Sequence, residues 1–244
     1  MDIKYKNSAS VNSVFLKYLE LKDAKNSAKI KIPGGKNIKV NNLDKKTIPQ
    51  PYYIYDIIAS MKKIAILFSG TGTNFEYLCK NLHKKDIEIV VALTNNPKAG
   101  GIDIAKRYNI PLIILDSSQY KIREEFDKEV VKKLKEYNFD FVVLAGFMRI
   151  LTPIFTNAFL SINLHPSLLP RHKGLKAIER SYNDEFEDGG VSVHYVTDEL
   201  DGGDIILQKS IKKAGLTFDE YYNKIRAIEK EALKEAVLKV ANSI

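Results

Sequence analysis

The chain has 244 residues, 45% hydrophobic and 28% charged, an ordinary balance for a soluble globular protein with one sizeable core or two small ones. A single cysteine, Cys79, excludes an internal disulfide and points to a reducing compartment, expected to be the cytoplasm. No apolar run approaches the ~20 residues of a membrane span, a secretory signal is not expected, and the formal charge of +8 is concentrated at one end.

Residues 1–60 hold 11 lysines against 5 acids, which is +6 of that charge and leaves +2 for residues 61–244. Rich in Lys and Asn, and punctuated by PGGK (33–36) and TIPQPYY (47–53), this extension is expected to be poorly ordered and solvated. RNA or membrane-surface binding is the less favoured alternative. A short helix is possible through VFLKYLELK (14–22). The fold is expected to start at Met61 in MKKIAILFSG, with 1–60 an appendage or a misassigned translation start and 61–244 the functional domain.

From Met61 the pattern alternates. Continuous apolar runs at 64–69, 87–96, 111–115 and 139–146 are separated by helical stretches near 74–83, 102–109 and 122–137. In the last helix Phe126, Val130, Leu134 and Tyr137 recur at helical spacing. Fully apolar strands between amphipathic helices predict an α/β, Rossmann-like fold, with a mostly parallel sheet covered on both faces. After Gly190, VSVHYVT (191–197) alternates and DIILQKSI (204–211) follows a DGGD turn, so the sheet becomes mixed on its C-terminal side. A closing helix over roughly 217–242 is expected to bury Phe218, Tyr222, Ile225, Ala232 and Leu233. No zinc-ligand spacing is present.

Ligands of open α/β sheets bind at the carboxyl ends of strands, which directs attention to SGTGTN, LAGFMRIL, INLHPS and VTDELDGGD. FSGTGTNF (68–75) links the first strand to the first helix, and its small residues let backbone N–H groups approach an anion. It lacks the Gly-Lys-Ser/Thr of a Walker loop, and Phe75 stands where a dinucleotide fingerprint needs glycine. A phosphate monoester fits better, and a ligand-free tight turn is the alternative. In INLHPSLLP (162–170), Asn163 and His165 share one face of a strand end while Leu164 points to the core. An amide and an imidazolium can both donate to an oxygen gaining negative charge, which suits acyl transfer through a tetrahedral intermediate. A structurally satisfied histidine is the alternative. To stay protonated near neutrality, His165 needs a carboxylate neighbour, and Asp201 of DELDGGD (198–204) is placed by two glycines to turn back toward the sheet. Equally, it could be a turn former only. His194 reads as a supporting residue, and His83 and His172 as surface residues.

LAGFMRIL (144–151), NLHPSLLP (163–170), SVHYVTDELDGG (192–203) and SGTGTN (69–74) together resemble the phosphoribosylglycinamide formyltransferase family, over about residues 61–235. The resemblance implies formyl transfer from 10-formyltetrahydrofolate to the amine of glycinamide ribonucleotide in purine synthesis, without a metal. It makes Asn163, His165 and Asp201 the catalytic trio. It puts the substrate phosphate on Gly72, Thr73 and Asn74, flanked by Phe75 and Glu76. It puts the folate against Met148, Arg149, Ile150 and Leu151, near Asn163, and along Thr197, Asp198, Glu199, Leu200 and Asp201. Arg123 aligns with a ligand-contacting arginine. Arg226, Ala227, Ile228 and Glu229 align with a substrate-binding segment in which Glu229 holds the reacting amine. Glu229 also falls near the expected buried stripe of the last helix, where a carboxylate needs a partner; a solvated Glu229 is the alternative if the helix phase differs.

Some positions depart from the family pattern: Lys173 replaces a proline, Lys230 replaces the histidine after the glutamate, and the proline usual later in that segment is missing. The rivals are a formyltetrahydrofolate hydrolase, a methionyl-tRNA formyltransferase (which would carry a further C-terminal domain), and a non-catalytic folate- or RNA-binding protein. Small-molecule substrates, no membrane or nucleic-acid partner, and a monomer or weak homodimer are expected.

Overall fold

The computed structural model describes residues 61–244 and, before them, strands β1 (Ser27–Lys31) and β2 (Asn37–Asn41), which pair antiparallel with Ser27 opposite Asn41. Sequence reading missed this pair, because SAKIK and NIKVN hide their period-two alternation in a lysine- and asparagine-rich composition. The helix expected over 14–22, and most of the segment expected to lack order, lie outside the described residues. The chain divides into Met1–Met61 and Lys62–Ile244, the second of which carries everything below.

Seven strands form its sheet: β3 (Lys62–Phe68), β4 (Ile87–Thr94), β5 (Leu112–Ile114), β6 (Phe141–Leu144), β7 (Ser161–His165), β8 (Asp188–Tyr195) and β9 (Ile205–Lys212), in the order β5-β4-β3-β6-β7-β8-β9. Pairings from β5 to β7 are parallel, and those of β7 with β8 and β8 with β9 are antiparallel, giving the mixed C-terminal side the sequence implied. The helices are α1 (Thr73–Asn81), α2 (Gly101–Arg107), α3 (Arg123–Leu134), α4 (Pro153–Thr156), α5 (Ala177–Asn183) and α6 (Phe218–Ala241).

The continuous apolar run of β3 is buried because both faces are covered. Ala65 and Leu67 pack with Phe126, Val130 and Leu134 of α3 and Phe155 of α4. Ile64, Ile66 and Phe68 pack on the opposite face with Phe75 and Leu78 of α1, Ile104 of α2 and Ile225, Leu233 and Val237 of α6. An edge strand meets the core on one side only, and β9 accordingly alternates along most of its length between more and less exposed residues.

Helix α6 starts at a capping box, in which Thr217 accepts from the Glu220 N–H and Glu220 accepts from the Thr217 N–H. This sets a phase that corrects the expected stripe. Tyr221 is fully buried, whereas Phe218 and Tyr222 are 39% and 42% exposed. From Ile225 onward the stripe runs as expected, through Ala232 and Leu233. Among the described residues no helix is long and apolar enough to cross a membrane.

Strand connections run outward from β3 to β5 and then return to β6. The chain therefore leaves a crevice at the carboxyl ends of β3 and β6, the position where open α/β sheets receive ligands.

Candidate active site

Beyond β3, Gly72 adopts a left-handed conformation (φ 76°) at the N-cap of α1. A Cβ there would lie 2.7 Å from the Gly101 Cα, so only glycine lets this turn pass under α2. Thr73 is exposed and its hydroxyl accepts from Arg226 Nη2 at 3.0 Å. Asn74 is 6% exposed, with its Oδ1 lacking a partner. Phe75 is a core side chain stacked on Phe68 at 5.3 Å, so its ring cannot flank a ligand. Glu76 is ion-paired with Arg107.

Helix α6 packs beside α1 on the same face of the sheet. Its Glu229 is 2% exposed and accepts from Arg226 Nη1 at 2.5 Å. Burial raises the Glu229 pKa above its ordinary value, against the pull of Arg226, Asn74 and Lys230. Arg226 thus joins the glycine loop to a buried carboxyl. Ala227 is exposed and Ile228 packs toward the core, so these two do not share the Arg226–Glu229 face.

Strand β7 stops at His165, because Pro166 has no N–H to continue the ladder. Ile162 and Leu164 enter the core, and Asn163 and His165 face the other way. Between β8 and β9 the chain turns through Asp201, which is left-handed (φ 49°). A side chain at Gly203 would meet the Tyr195 carbonyl at 1.9 Å, and its absence lets the turn fold tightly against the end of β8.

Four side chains meet there. His165 Nδ1 lies 3.3 Å from Asp201 Oδ2, with both side chains 7% exposed. Asn163 Nδ2 donates to Asp201 Oδ1 at 3.5 Å, and is 3.2 Å from His194 Nε2. His194 Nδ1 is 2.8 Å from the Tyr195 carbonyl, which requires a proton on Nδ1, and its Nε2 lies 3.2 Å from Asn163 Nδ2 and 3.6 Å from Asp201 Oδ1. His194 is 2% exposed and supports the amide, as its place in an alternating strand suggested. Gly174 N–H also donates to Asp201 Oδ2, at 2.8 Å.

The electrostatics of His165 differ from the expectation. Its Nε2 lies 2.9 Å from the His172 carbonyl, so both ring nitrogens face acceptors, and only the doubly protonated ring satisfies both. Burial nevertheless pulls the His165 pKa below its ordinary value; Asp201 and the His172 carbonyl resist this, and His194 and Arg180 add to it. Asp201 is present as the stabilising anion, but desolvation outweighs it. Burial likewise opposes charge on Asp201, but the two histidines and the Gly174 N–H hold its carboxyl below the usual range.

A cleft opens beside this group, lined by Arg149, Ile150, Leu151, Asn163 and the segment from Thr197 to Asp201, together with Leu144, Phe147, His194 and Val196. Two residues expected at the folate do not line it. Arg123 is exposed at the start of α3, and Met148 is 73% exposed, its N–H donating to Ser69 Oγ. His83 and His172 also depart from the surface reading. His83 is 8% exposed and accepts from the Ile89 N–H, and His172 is half-buried, 2.5 Å from Asp184. Asp127 was missed altogether. It is 1% exposed and its Oδ2 accepts from the Thr152 N–H (2.6 Å) and hydroxyl (2.7 Å), pinning the end of the loop that forms one wall of the cleft. Its position beside Phe126 on the buried stripe of α3 was the available signal. Among the described residues no group of three or more side chains is arranged to hold a metal.

The formyl transferase family model matches residues 62–237. Phosphoribosylglycinamide formyltransferase from Escherichia coli is 39% identical over 153 residues, 61% of this chain and 72% of that protein. The trifunctional purine biosynthetic protein adenosine-3 of Gallus gallus is 34% identical over 220 residues, 86% of this chain but 22% of that protein. The crystal structure of phosphoribosylglycinamide formyltransferase from Campylobacter jejuni superposes with a TM-score of 0.72 at 47% identity, covering 74% of this chain and 97% of that one. Glycinamide ribonucleotide transformylase 1 from Symbiobacterium toebii gives 0.71 at 31% identity, covering 75% and 89%.

Proposed function

The chain belongs to the formyl transferase family, and from that premise we infer that it moves the formyl group of 10-formyltetrahydrofolate to the amine of N1-(5-phospho-D-ribosyl)glycinamide, in purine biosynthesis. The observation that carries this reading is the convergence of Asn163, His165 and Asp201 at the edge of a cleft, with a second, phosphate-suited loop tied through Arg226 to buried Glu229.

The phosphate of the substrate meets the turn at Gly72, Thr73 and Asn74, where the helix start favours an anion. Arg226, already reaching Thr73, adds a positive charge there. The substrate amine lies at Glu229. A carboxyl raised by burial is suited to take the proton that an ammonium must shed before it attacks. The folate occupies the cleft of Arg149, Ile150, Leu151 and residues 197–201.

The amine nitrogen then bonds to the formyl carbon, and the carbonyl electrons move to its oxygen. Asn163 donates with the amide group whose Nδ2 lies 3.5 Å from Asp201 Oδ1. His165 donates from Nε2 once that atom leaves the His172 carbonyl. The nascent oxyanion is a second negative charge beside the ring, and with Asp201 it offsets the desolvation that disfavours protonated His165. When the intermediate collapses, the bond from the formyl carbon to the folate nitrogen breaks. That nitrogen receives a proton, and the proton released by the amine balances it, passing through His165 or water. Proximity of two bound substrates supplies much of the acceleration.

Residues 61–244 form the catalytic domain on this reading, acting on small molecules as a cytoplasmic monomer or weak homodimer. The test is folate release from 10-formyltetrahydrofolate by the purified protein, with and without glycinamide ribonucleotide. Release that requires the amine is the expected result. Equal release without it would replace the transferase with a hydrolase.

A further inference from the structure

His165 is oriented from two sides, and the catalytic trio accounts for one of them. The other is a chain of contacts that begins on the far edge of the sheet. Just beyond β9, Lys213 turns inward, and its side chain is 10% exposed. Its ammonium donates to the Ser181 carbonyl at 2.8 Å, the Asp184 carbonyl at 3.0 Å and the Asp184 carboxylate. The other oxygen of Asp184 lies 2.5 Å from His172 Nε2. His172 is in the left-handed region (φ 56°), so its side chain and its carbonyl point to different partners. The carbonyl lies 2.9 Å from His165 Nε2.

A carboxylate 11% exposed, gripped by a buried ammonium, is a fixed point in the structure. The loop from Pro166 to Lys176 has no regular secondary structure of its own. Its His172 is held to that fixed point by one side-chain contact. We propose that Asp184, anchored by Lys213, is a positioning residue for His165: through His172 it sets the backbone acceptor that orients the outer ring nitrogen before substrate arrives. The inference rests on the reading of His165 as the reacting group. The substrate oxygen must replace the His172 carbonyl, so the loop holds the ring in the attitude needed for donation. The remaining charged or titratable groups around His165 are Asp201 from the turn after β8, His194 from β8, and Arg180 from α5, which donates to the Lys173 carbonyl. None of these contacts Asp184.

The test reads His165 directly. The chain has four histidines, so labelled imidazole resonances can be followed against pH and assigned with His165→Ala. Asp184→Asn keeps the shape and removes the charge. His172→Asn keeps a residue tolerant of the left-handed backbone but too short to reach Asp184. Each variant should make His165 titrate about 1 pH unit lower, the size of one lost charge-assisted hydrogen bond. A general loss of stability would lower the melting temperature without moving that titration. An unmoved His165 titration in either folded variant overturns the proposal, and if Asp184→Asn does not fold, His172→Asn decides it. Turnover by His165→Ala tests the catalytic reading separately. Full activity there would remove the reaction from His165 and leave the titration result standing.

Discussion

His83 should make the protein acid-sensitive in a way that one substitution removes. The ring lies just past α1, and its Nδ1 accepts from the Ile89 N–H at 3.0 Å. The proton of the neutral ring must then sit on Nε2, which is buried without a partner. Burial, with Lys84 adding to it, pushes the His83 pKa down to about 4. An unfolded histidine titrates near ~6.5, and each unit of difference is ~1.36 kcal/mol. Between those values the unfolded chain takes up a proton that the folded protein refuses. The contribution is therefore intact above pH ~6.5, and about 3 kcal/mol of stability is lost as the pH falls to about 4. His83→Asn retains an oxygen for the Ile89 N–H and does not titrate. Urea unfolding of both proteins at several pH values from 7.5 to 4.5, extrapolated to water, should give curves that converge or cross as pH falls, the variant losing less. Other carboxyls titrate equally in both proteins and drop out of the difference. Parallel curves over that range would refute the reasoning, because a ring that charges freely in the folded state cannot produce the slope.

Replacing Asn163 or His165 by Ala, or Asp201 by Asn, should each lower turnover by ~10²–10³ while circular dichroism and melting temperature barely change; wild-type rates in all three would reject the trio. The deficit of Asp201→Asn should depend on pH. The protonated ring is the donor and Asp201 favours it, so the ratio of wild-type to variant rate is largest near neutrality and narrows as the medium is acidified; a ratio independent of pH would count against the charge argument. Glu229→Gln should cut kcat/KM for the amine substrate yet leave binding of its phosphate moiety, measured by competition with ribose 5-phosphate, within about threefold, which is less than ~1 kcal/mol. Asp127→Ala strands two buried donors of Thr152, each costing about 1–3 kcal/mol. It should lower unfolding stability and raise KM for the folate, and an unchanged KM would separate Asp127 from the cleft.

Legibility followed the strength of the local signal. Long apolar runs between amphipathic helices have few alternatives to a covered parallel sheet, and the strands lie within a few residues of their expected bounds. Asn163 and His165 could be paired in advance because period-two geometry leaves no choice once the strand is accepted. The start of α6 was ambiguous, since Phe218 with Tyr222 and Tyr221 with Ile225 are both i,i+4 pairs; the capping box at Thr217 selected the second. Phe75 shows a different limit. It stands inside a ligand-suited motif, but its ring belongs to the core, so only the backbone is left for a ligand. His83 and His172 lie in polar surroundings in sequence, and the partners that bury or hold them, Ile89 and Asp184, are set by chain turns no periodicity reveals. The charge state of His165 was illegible for a related reason. A neighbouring carboxylate can be inferred from a motif, but the depth of burial opposing it depends on how the segment around His172 closes over the ring.

Strand β6 lies between the strand that leads to Gly72 and the strand that ends at His165. Two interstrand spacings of ~4.8 Å therefore separate those two ends by about 10 Å. On the proposed reading the acceptor spans that distance, with its phosphate at the glycine turn and its amine carried toward the strand that ends at His165.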